Sequence, residues 1–480
     1  LHLGAGVRSS RTRRKPLLCY NLEFASKSFR IMLLGVPRLS RIKLLFCALP
    51  ITALLTSCGS YSNNNNSTHT SGLKFRVLVS QDISSNLTSP GLIIINALTD
   101  ARAVIAPLAP SGSFFPGNMY LADNRSTTLA VSNINNTLGI FNNKTEASVG
   151  TVTLPGPSDS VVLSPDASTG YVAVATAAVP GFSPGGLVVV ALTGTAGTTA
   201  TVPIPSVRYL ARSGDGSRIL AFSDNSDSVT IVPPQSIIPG QGQTTPLTVV
   251  SGFDRPVFGF FSPDNSQAWV LNCGPECGGV EASVQVLDLI HNSAGLKVAV
   301  PGGATVGFLN NQTLYVAGTP QAPNNTCSGP GSHTTAATSC GRLTVIDLPS
   351  LSITSPASGF VIEDGYHTVL SLASNAQLYI GSRGCTNIFP PPAPATGEQR
   401  GCLYIADVNS LSTASPRFVA PPDNGDVTGI QPITNRTIVY LIEGGQFRLY
   451  DTTTNQQSLG EATSAIDILG QAVDIKLIDF

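Results

Sequence analysis

Charge is thin in this sequence: Asp, Glu, Lys and Arg make up 11% of 480 residues, while tryptophan occurs once, methionine twice and histidine five times. So little charge excludes a disordered acidic or basic chain, and with it a coiled coil built on interhelical ion pairs. The apolar run Leu44 to Leu55 near the N-terminus is interrupted by Pro50 and falls short of the roughly 20 residues that a stable membrane-spanning helix needs. Basic clusters are also missing from most of the chain. Ten Lys and Arg lie within residues 1–57 beside one acid, Glu23, leaving 17 basic residues against 27 acidic ones downstream. With no basic stripe after Lys74, nothing there would neutralise a phosphate backbone, and nucleic-acid binding is excluded as a partner class.

What the sequence has in quantity is glycine (46) and proline (35), spread among Val, Ile, Leu and Thr. Branched residues suit pleated, half-buried strands, and Gly and Pro supply the turns between them, so the composition predicts an all-β chain of many short strands.

The N-terminal region reads as an address. From Met32, basic residues (Arg38, Arg41, Lys43) precede the apolar run, which ends in Leu55-Thr56-Ser57-Cys58-Gly59. Those last residues resemble the bacterial lipobox, whose cysteine is acylated and becomes the first mature residue. The resemblance implies lipidation at Cys58, a signal peptide over 32–57 and anchoring to a membrane of the cell envelope, with Gly59 in place of Asp pointing to the outer membrane. Residues 1–31 carry Arg11, Arg13, Arg14 and Lys15 without apolar periodicity and read as upstream sequence carried through in translation. Residues 58–72, with four consecutive Asn, are too polar to pack and read as a tether to the body at 73–480.

An apolar alternation ending in an acid recurs along the body: Val284 to Asp288, Leu343 to Asp347, Leu403 to Asp407 and Phe447 to Asp451, with looser copies beginning at Leu92, Leu138, Leu187 and Val229. A further strand precedes each copy, as in Tyr171 to Val174 and Ala268 to Leu271. Turns of fixed chemistry come before the best of these: Ser164-Pro165-Asp166, Ser213-Gly214-Asp215 and Ser262-Pro263-Asp264. These passages, together with Leu129 to Asn133 and Asn136 to Ile140, resemble the YVTN-type β-propeller repeat, related to the lactonase-family propellers. The resemblance covers about residues 73–480. It implies a β-propeller of four-stranded blades, a statement about architecture and not about chemistry.

The spacing of the copies gives eight blades, with seven as the alternative if the Val229 copy or the first one shares a blade. Ring closure is expected from the two chain ends. Phe75 to Val79 and Leu92 to Ile95 would be the third and fourth strands of one blade, completed by Ala465 to Leu469 and Ala472 to Phe480. A closed ring leaves no sheet edge open, so a monomer is expected.

Six cysteines remain in the body: Cys273, Cys277, Cys327, Cys340, Cys385 and Cys402. Each neighbouring pair falls in a loop, assigned here between the third and fourth strands of its repeat, and local disulfides are expected in an exported chain. The rival reading is metal binding by Cys273, Cys277 and His291. It is disfavoured by the Gly-Pro-Glu spacer and by the lack of a second nearby cysteine pair, so no metal is expected.

For catalysis, the best candidates are Glu363, Asp364 and His367, two carboxylates and an imidazole at the start of an inner strand near the axial channel. A polar turn before a strand is the plainer account of the same residues. No Gly-x-Ser-x-Gly elbow, His-Glu-x-x-His motif or phosphate loop is present, and a single tryptophan does not fit the repeated tryptophan docking of quinoprotein propellers; no cofactor is expected. The functional expectation is a non-catalytic binding or scaffold module acting on an envelope protein, peptide or glycan through one loop face. A lactonase-like hydrolase and a structural subunit of an envelope assembly are the alternatives.

Overall fold

The computed structural model describes residues 70–84, 90–110, 114–331, 339–386, 400–462, 464–468 and 470–480. The segment read as a signal peptide, Cys58 and most of the expected tether lie outside the described residues. The body forms eight four-stranded antiparallel blades, with small additions to blades 4 and 6. Blade 3 shows the pattern: Ser160–Leu163 lies innermost, followed outwards by Thr169–Val174, Gly186–Ala191 and Gly197–Pro203. The innermost strands of blades 2 and 4 to 8 are Met119–Leu121, Val207–Arg212, Pro256–Phe261, Val306–Asn310, Tyr366–Leu372 and Val427–Pro432.

The second and third strands of each blade are covered on both faces by the neighbouring blades. Their sequences are therefore continuous apolar runs, as in the fully buried Leu92 to Ile95. Outer strands face solvent and read as weak alternations, as in Ala147–Thr153. Apolar side chains form eight clusters among the described residues, one in each blade-to-blade interface. Leu129, Val131, Val172 and Val188 join blades 2 and 3, while Val77, Ile93, Tyr440 and Ile442 join blade 1 to blade 8. The stability of the ring is thus shared among eight repeated interfaces rather than held in one core.

The four acid-ended copies and the four looser ones are the third strands of the eight blades, which settles the count at eight. The Ser-x-Asp turns join first strands to second ones. In each, the first serine hydroxyl donates to the Asp carboxylate at 2.6 Å, and that carboxylate accepts the amide of the second serine at 3.0–3.1 Å. Asp166, Asp215 and Asp264 thus recur because the turn recurs.

Two details of phase differ from the sequence reading. Among the described residues, Gly470–Asp479 is the only strand the C-terminus adds to blade 1, where it lies innermost and pairs with Phe75–Ser84. Phe75–Ser84 is therefore the second strand, Gly91–Asn96 the third and the two-residue Ala101–Arg102 the fourth. Residues 465–468 form no strand, because the chain must travel from the rim of blade 8 at Gln456–Ser458 back to the axis. Likewise the cysteine loops lie between second and third strands, as between Gln267–Asn272 and Ser283–Asp288, not between third and fourth. Solvent-facing outer strands such as Ser293–Ala299 give a faint apolar signal, and missing them moves the count by one.

Candidate functional site

Eight innermost strands enclose an axial channel of about 760 Å³. Its middle is apolar, with Val161, Leu210, Phe258, Phe260 and Ile430 on the walls. A β-bulge recurs near the start of the innermost strand in blades 4, 5, 7 and 8, where Arg208, Val257, Thr368 and Thr428 are the extra residues. A bulge bends the strand and re-aims the side chain it carries. Here all four displaced residues line cavities at or along the axis.

All five charged side chains lining the channel are ion-paired. Arg212 reaches past blade 3 to Asp123 at 2.5 Å, Lys476 meets Asp474 at 2.9 Å, and Arg125 lies 3.9 Å from Asp479. Tyr120 donates its hydroxyl to the Asp159 carbonyl at 2.6 Å, and burial first, then the Asp474 and Asp159 charges, hold the phenol in its protonated form. Among the described residues that line this lumen there is no serine, cysteine or histidine.

None of Glu363, Asp364 and His367 lines the channel. His367 begins the innermost strand region of blade 7, but its ring is buried against Gly341, and burial pushes its pKa down to about 4 against a smaller upward pull from the Glu363 main chain. It is a neutral, packed imidazole. The Asp364 carboxylate accepts the Thr386 amide at 2.9 Å and the Thr386 hydroxyl, fixing the residue after Cys385. Glu363 is held up at about 8, chiefly by burial and then by Asp423 and Asp364. Glu363 and Asp364 are neighbours in one linker, with His367 in the strand that follows, and Asp364 braces a loop.

Cys273–Cys277, Cys327–Cys340 and Cys385–Cys402 are disulfides, as expected from the local pairing. Such bonds persist in chains matured outside the reducing cytoplasm. Gly274, with φ of 65°, makes the tight corner after Cys273, where a Cβ would fall 2.2 Å from the Ala282 nitrogen. The loops between second and third strands share a face with the blade-to-blade linkers, since strands alternate in direction, so the three bonds decorate one face of blades 5, 6 and 7. Among the described residues no group of His, Cys, Asp and Glu is arranged to hold a metal, and no helix is long and apolar enough to cross a membrane.

Sequence reasoning missed a cluster at the mouth of the channel on this face. Arg208 makes a forked contact to Asp224, with Nε at 2.7 and 2.8 Å and Nη2 at 2.6 Å, and reaches Asp159 at 2.5 Å. Tyr209 and, from blade 7, Tyr366 line the same cavity of about 350 Å³. Their spacing along the chain follows no motif; only the ring closure brings residues 208 and 366 together.

No family model and no curated protein matches the chain. Solved structures similar to it include a dihydro-haem d1 dehydrogenase (TM-score 0.55, 11% identity, covering 84% of this chain and 75% of that one). A hydrazine synthase of Kuenenia stuttgartiensis aligns with a TM-score of 0.49 and 12% identity over 72% of this chain and 94% of that one. A 6-phosphogluconolactonase-like protein of Bacteroides fragilis aligns with a TM-score of 0.45 and 12% identity, over 86% and 99% of the two chains. At 11% identity the likeness to the dehydrogenase is one of fold alone, and the sheet order makes the chain an eight-bladed β-propeller.

Proposed function

We propose that this propeller is a non-catalytic binding or scaffold module of the bacterial cell envelope. It would be anchored by an acylated Cys58 and would engage its partner through the face that carries the disulfide loops. The observation behind this reading is the placement of three disulfide-closed loops at equivalent positions of three successive blades. Loops on a rigid scaffold are where recognition is usually built, and covalent closure lowers the entropy lost when they meet a partner. The channel supports the same reading, because its charges neutralise one another and leave no acid or base free for chemistry.

Site-specific photo-crosslinking in intact envelopes tests it. A crosslinker at Gln321 or Thr386, on the loop face, is expected to give discrete adducts, and one at Pro263 or Gly214, in exposed turns of the opposite face, none. Equal labelling from both faces would overturn the proposal, as would hydrolysis of a lactone panel that Glu363→Gln abolishes. Metabolic labelling with an acyl analogue, lost in Cys58→Ser, tests the anchor.

A further inference from the structure

We infer that the loop-face mouth of the axial channel binds a neutral saccharide, in the cavity walled by Arg208, Tyr209, Asp224, Arg255 and Tyr366. This deepens the proposed binding role by naming a ligand class for the centre of that face.

The cavity is of ligand size. At about 350 Å³ it lies at the lower end of the range of small-molecule sites, roughly 300–1,000 Å³, and fits one or two sugar rings. It is assembled from three blades: Arg208 and Tyr209 from the innermost strand of blade 4, Pro256 and Val257 from that of blade 5, and Tyr366 from that of blade 7. Cys277 closes one wall, where its bond to Cys273 limits movement.

The charges tell against an ionic ligand. Arg208 is matched by Asp224 and Asp159, and Arg255 by Asp227 at 3.5 Å, so the two cations that line the cavity are both paired within the protein, while Arg383 and Glu276, of opposite sign, act on Tyr366 from beyond the lining. A phosphate or a carboxylate would have to displace one of these contacts, and an ammonium group would meet two guanidinium groups. What remains on offer is a set of oriented dipoles. A forked Arg–Asp pair presents donors and acceptors side by side, the pattern that adjacent sugar hydroxyls need. The Arg255 Nε is a buried donor with no hydrogen-bond partner.

The tyrosines supply the apolar half. Tyr366 is 41% exposed at the centre of a ring whose other large residues are mostly buried. An aromatic face is electron-rich, and the C–H bonds on one side of a pyranose are electron-poor, so the two stack. Burial, followed for Tyr366 by Tyr209 and Glu276, raises that phenol to about 12, keeping its hydroxyl available as a donor. Two backbone features aim these groups: the bulge that turns out Arg208, and the left-handed conformation of Arg255 at φ 55°. A non-glycine residue rarely adopts that conformation unless its surroundings impose it.

Saturation-transfer NMR on the intact chain with cellobiose, maltose and N,N′-diacetylchitobiose tests the inference. Transfer to the ring protons of at least one disaccharide is expected. Tyr366→Ala should weaken it by about tenfold or more, and Tyr366→Phe, which keeps the stacking surface, by less. Because Tyr366 is part-exposed, its variants should melt with the wild type, and Arg212→Gln at the far mouth should bind the sugar unchanged. Absence of transfer from all three sugars, transfer that survives Tyr366→Ala, or stronger binding of glucose 6-phosphate would overturn the inference. Failure here with crosslinks from Gln321 and Thr386 intact would leave the proposed partner face standing; the reverse result would remove that face and keep the sugar site.

Discussion

Arg436 and Asp100 are 336 residues apart in the chain, yet Arg436 Nη2 donates to Asp100 Oδ2 at 2.8 Å across the boundary between blades 8 and 1. The Asp100 carboxylate is fully buried and also accepts the Tyr440 hydroxyl and the Glu461 amide. On the other side of blade 1, Arg76 and Glu146 form a second buried ion pair at 3.1 Å. Both neighbours of the closing blade are thus locked to it by charge as well as by apolar packing.

Removing the charge of Asp100 should therefore unlock the ring. Asp100→Asn leaves Arg436 facing a neutral partner in a buried place, and breaking such a pair costs about 3–5 kcal/mol. Urea denaturation at pH 7 measures the loss. Burial alone would raise the Asp100 pKa, but the hydrogen bonds from Arg436, Tyr440 and Glu461 outweigh it and hold the group below its ordinary value. Its stabilising effect is present above the unfolded value of about 3.9 and is lost as pH falls through the lower native one. The variant should accordingly approach the wild type in strongly acidic solution.

The C-terminal strand is the second point of closure. Deleting residues 470–480 exposes the edge of Phe75–Ser84 and removes Asp474, whose carboxylate accepts the Met119 amide of blade 2 at 2.7 Å. A fall in Tm of roughly 10 °C or more, with loss of a single cooperative transition, is expected by calorimetry. An unchanged Tm would mean that the ring does not depend on its last strand.

Legibility in the sequence followed burial and locality. The third strands were readable because two covered faces demand unbroken apolar runs, and in four of them the acid that ends the strand marks a turn. The Ser-x-Asp turns and the local cysteine pairs were readable because all their partners lie within a few residues or one loop. The two-residue strand Ala101–Arg102 left too little pattern to see, and so the phase of the closing blade was misjudged. The Asp100–Arg436 clasp and the Arg208–Tyr366 mouth could not be read at all, since their partners meet only after the whole ring has formed. His367 was visible as a chemical residue, yet nothing local indicates that its ring turns into the packing beside Gly341.

Three glutamates on the loop face should make stability depend on pH in the opposite sense from Asp100. Burial, the leading cause in each, raises Glu276 to about 7, Glu443 to about 7 and Glu363 to about 8. A carboxyl that binds its proton more tightly when folded stabilises fully below its unfolded pKa of about 4.3, and that contribution disappears as pH climbs to the native value. Stability should thus decline between about pH 4.5 and 8. Glu443 is 1% exposed, with Tyr450 donating to it at 3.0 Å, so Glu443→Gln should raise stability at pH 8 by up to roughly 3 kcal/mol and flatten the profile. Chemical denaturation at a series of pH values reads both; a slope that is unchanged in the variant would show that Glu443 does not titrate in this range.

The disulfides should stabilise in proportion to the loops they close. Loop-closure entropy predicts about 2 kcal/mol for the four-residue separation of Cys273–Cys277 and about 3 kcal/mol for the 17-residue separation of Cys385–Cys402. Paired Cys-to-Ala substitutions, compared by urea denaturation, should rank in that order. Each disulfide joins two residues of a single blade, so the β-sheet circular dichroism of each variant should match the wild type. Asp364 adds a specific expectation. Its carboxylate holds Thr386 beside Cys385, so once that disulfide is removed the Asp364→Ala change should cost less than it does in the intact protein. A double-mutant cycle measures the difference, and an additive result would mean that the carboxylate and the disulfide restrain the loop independently.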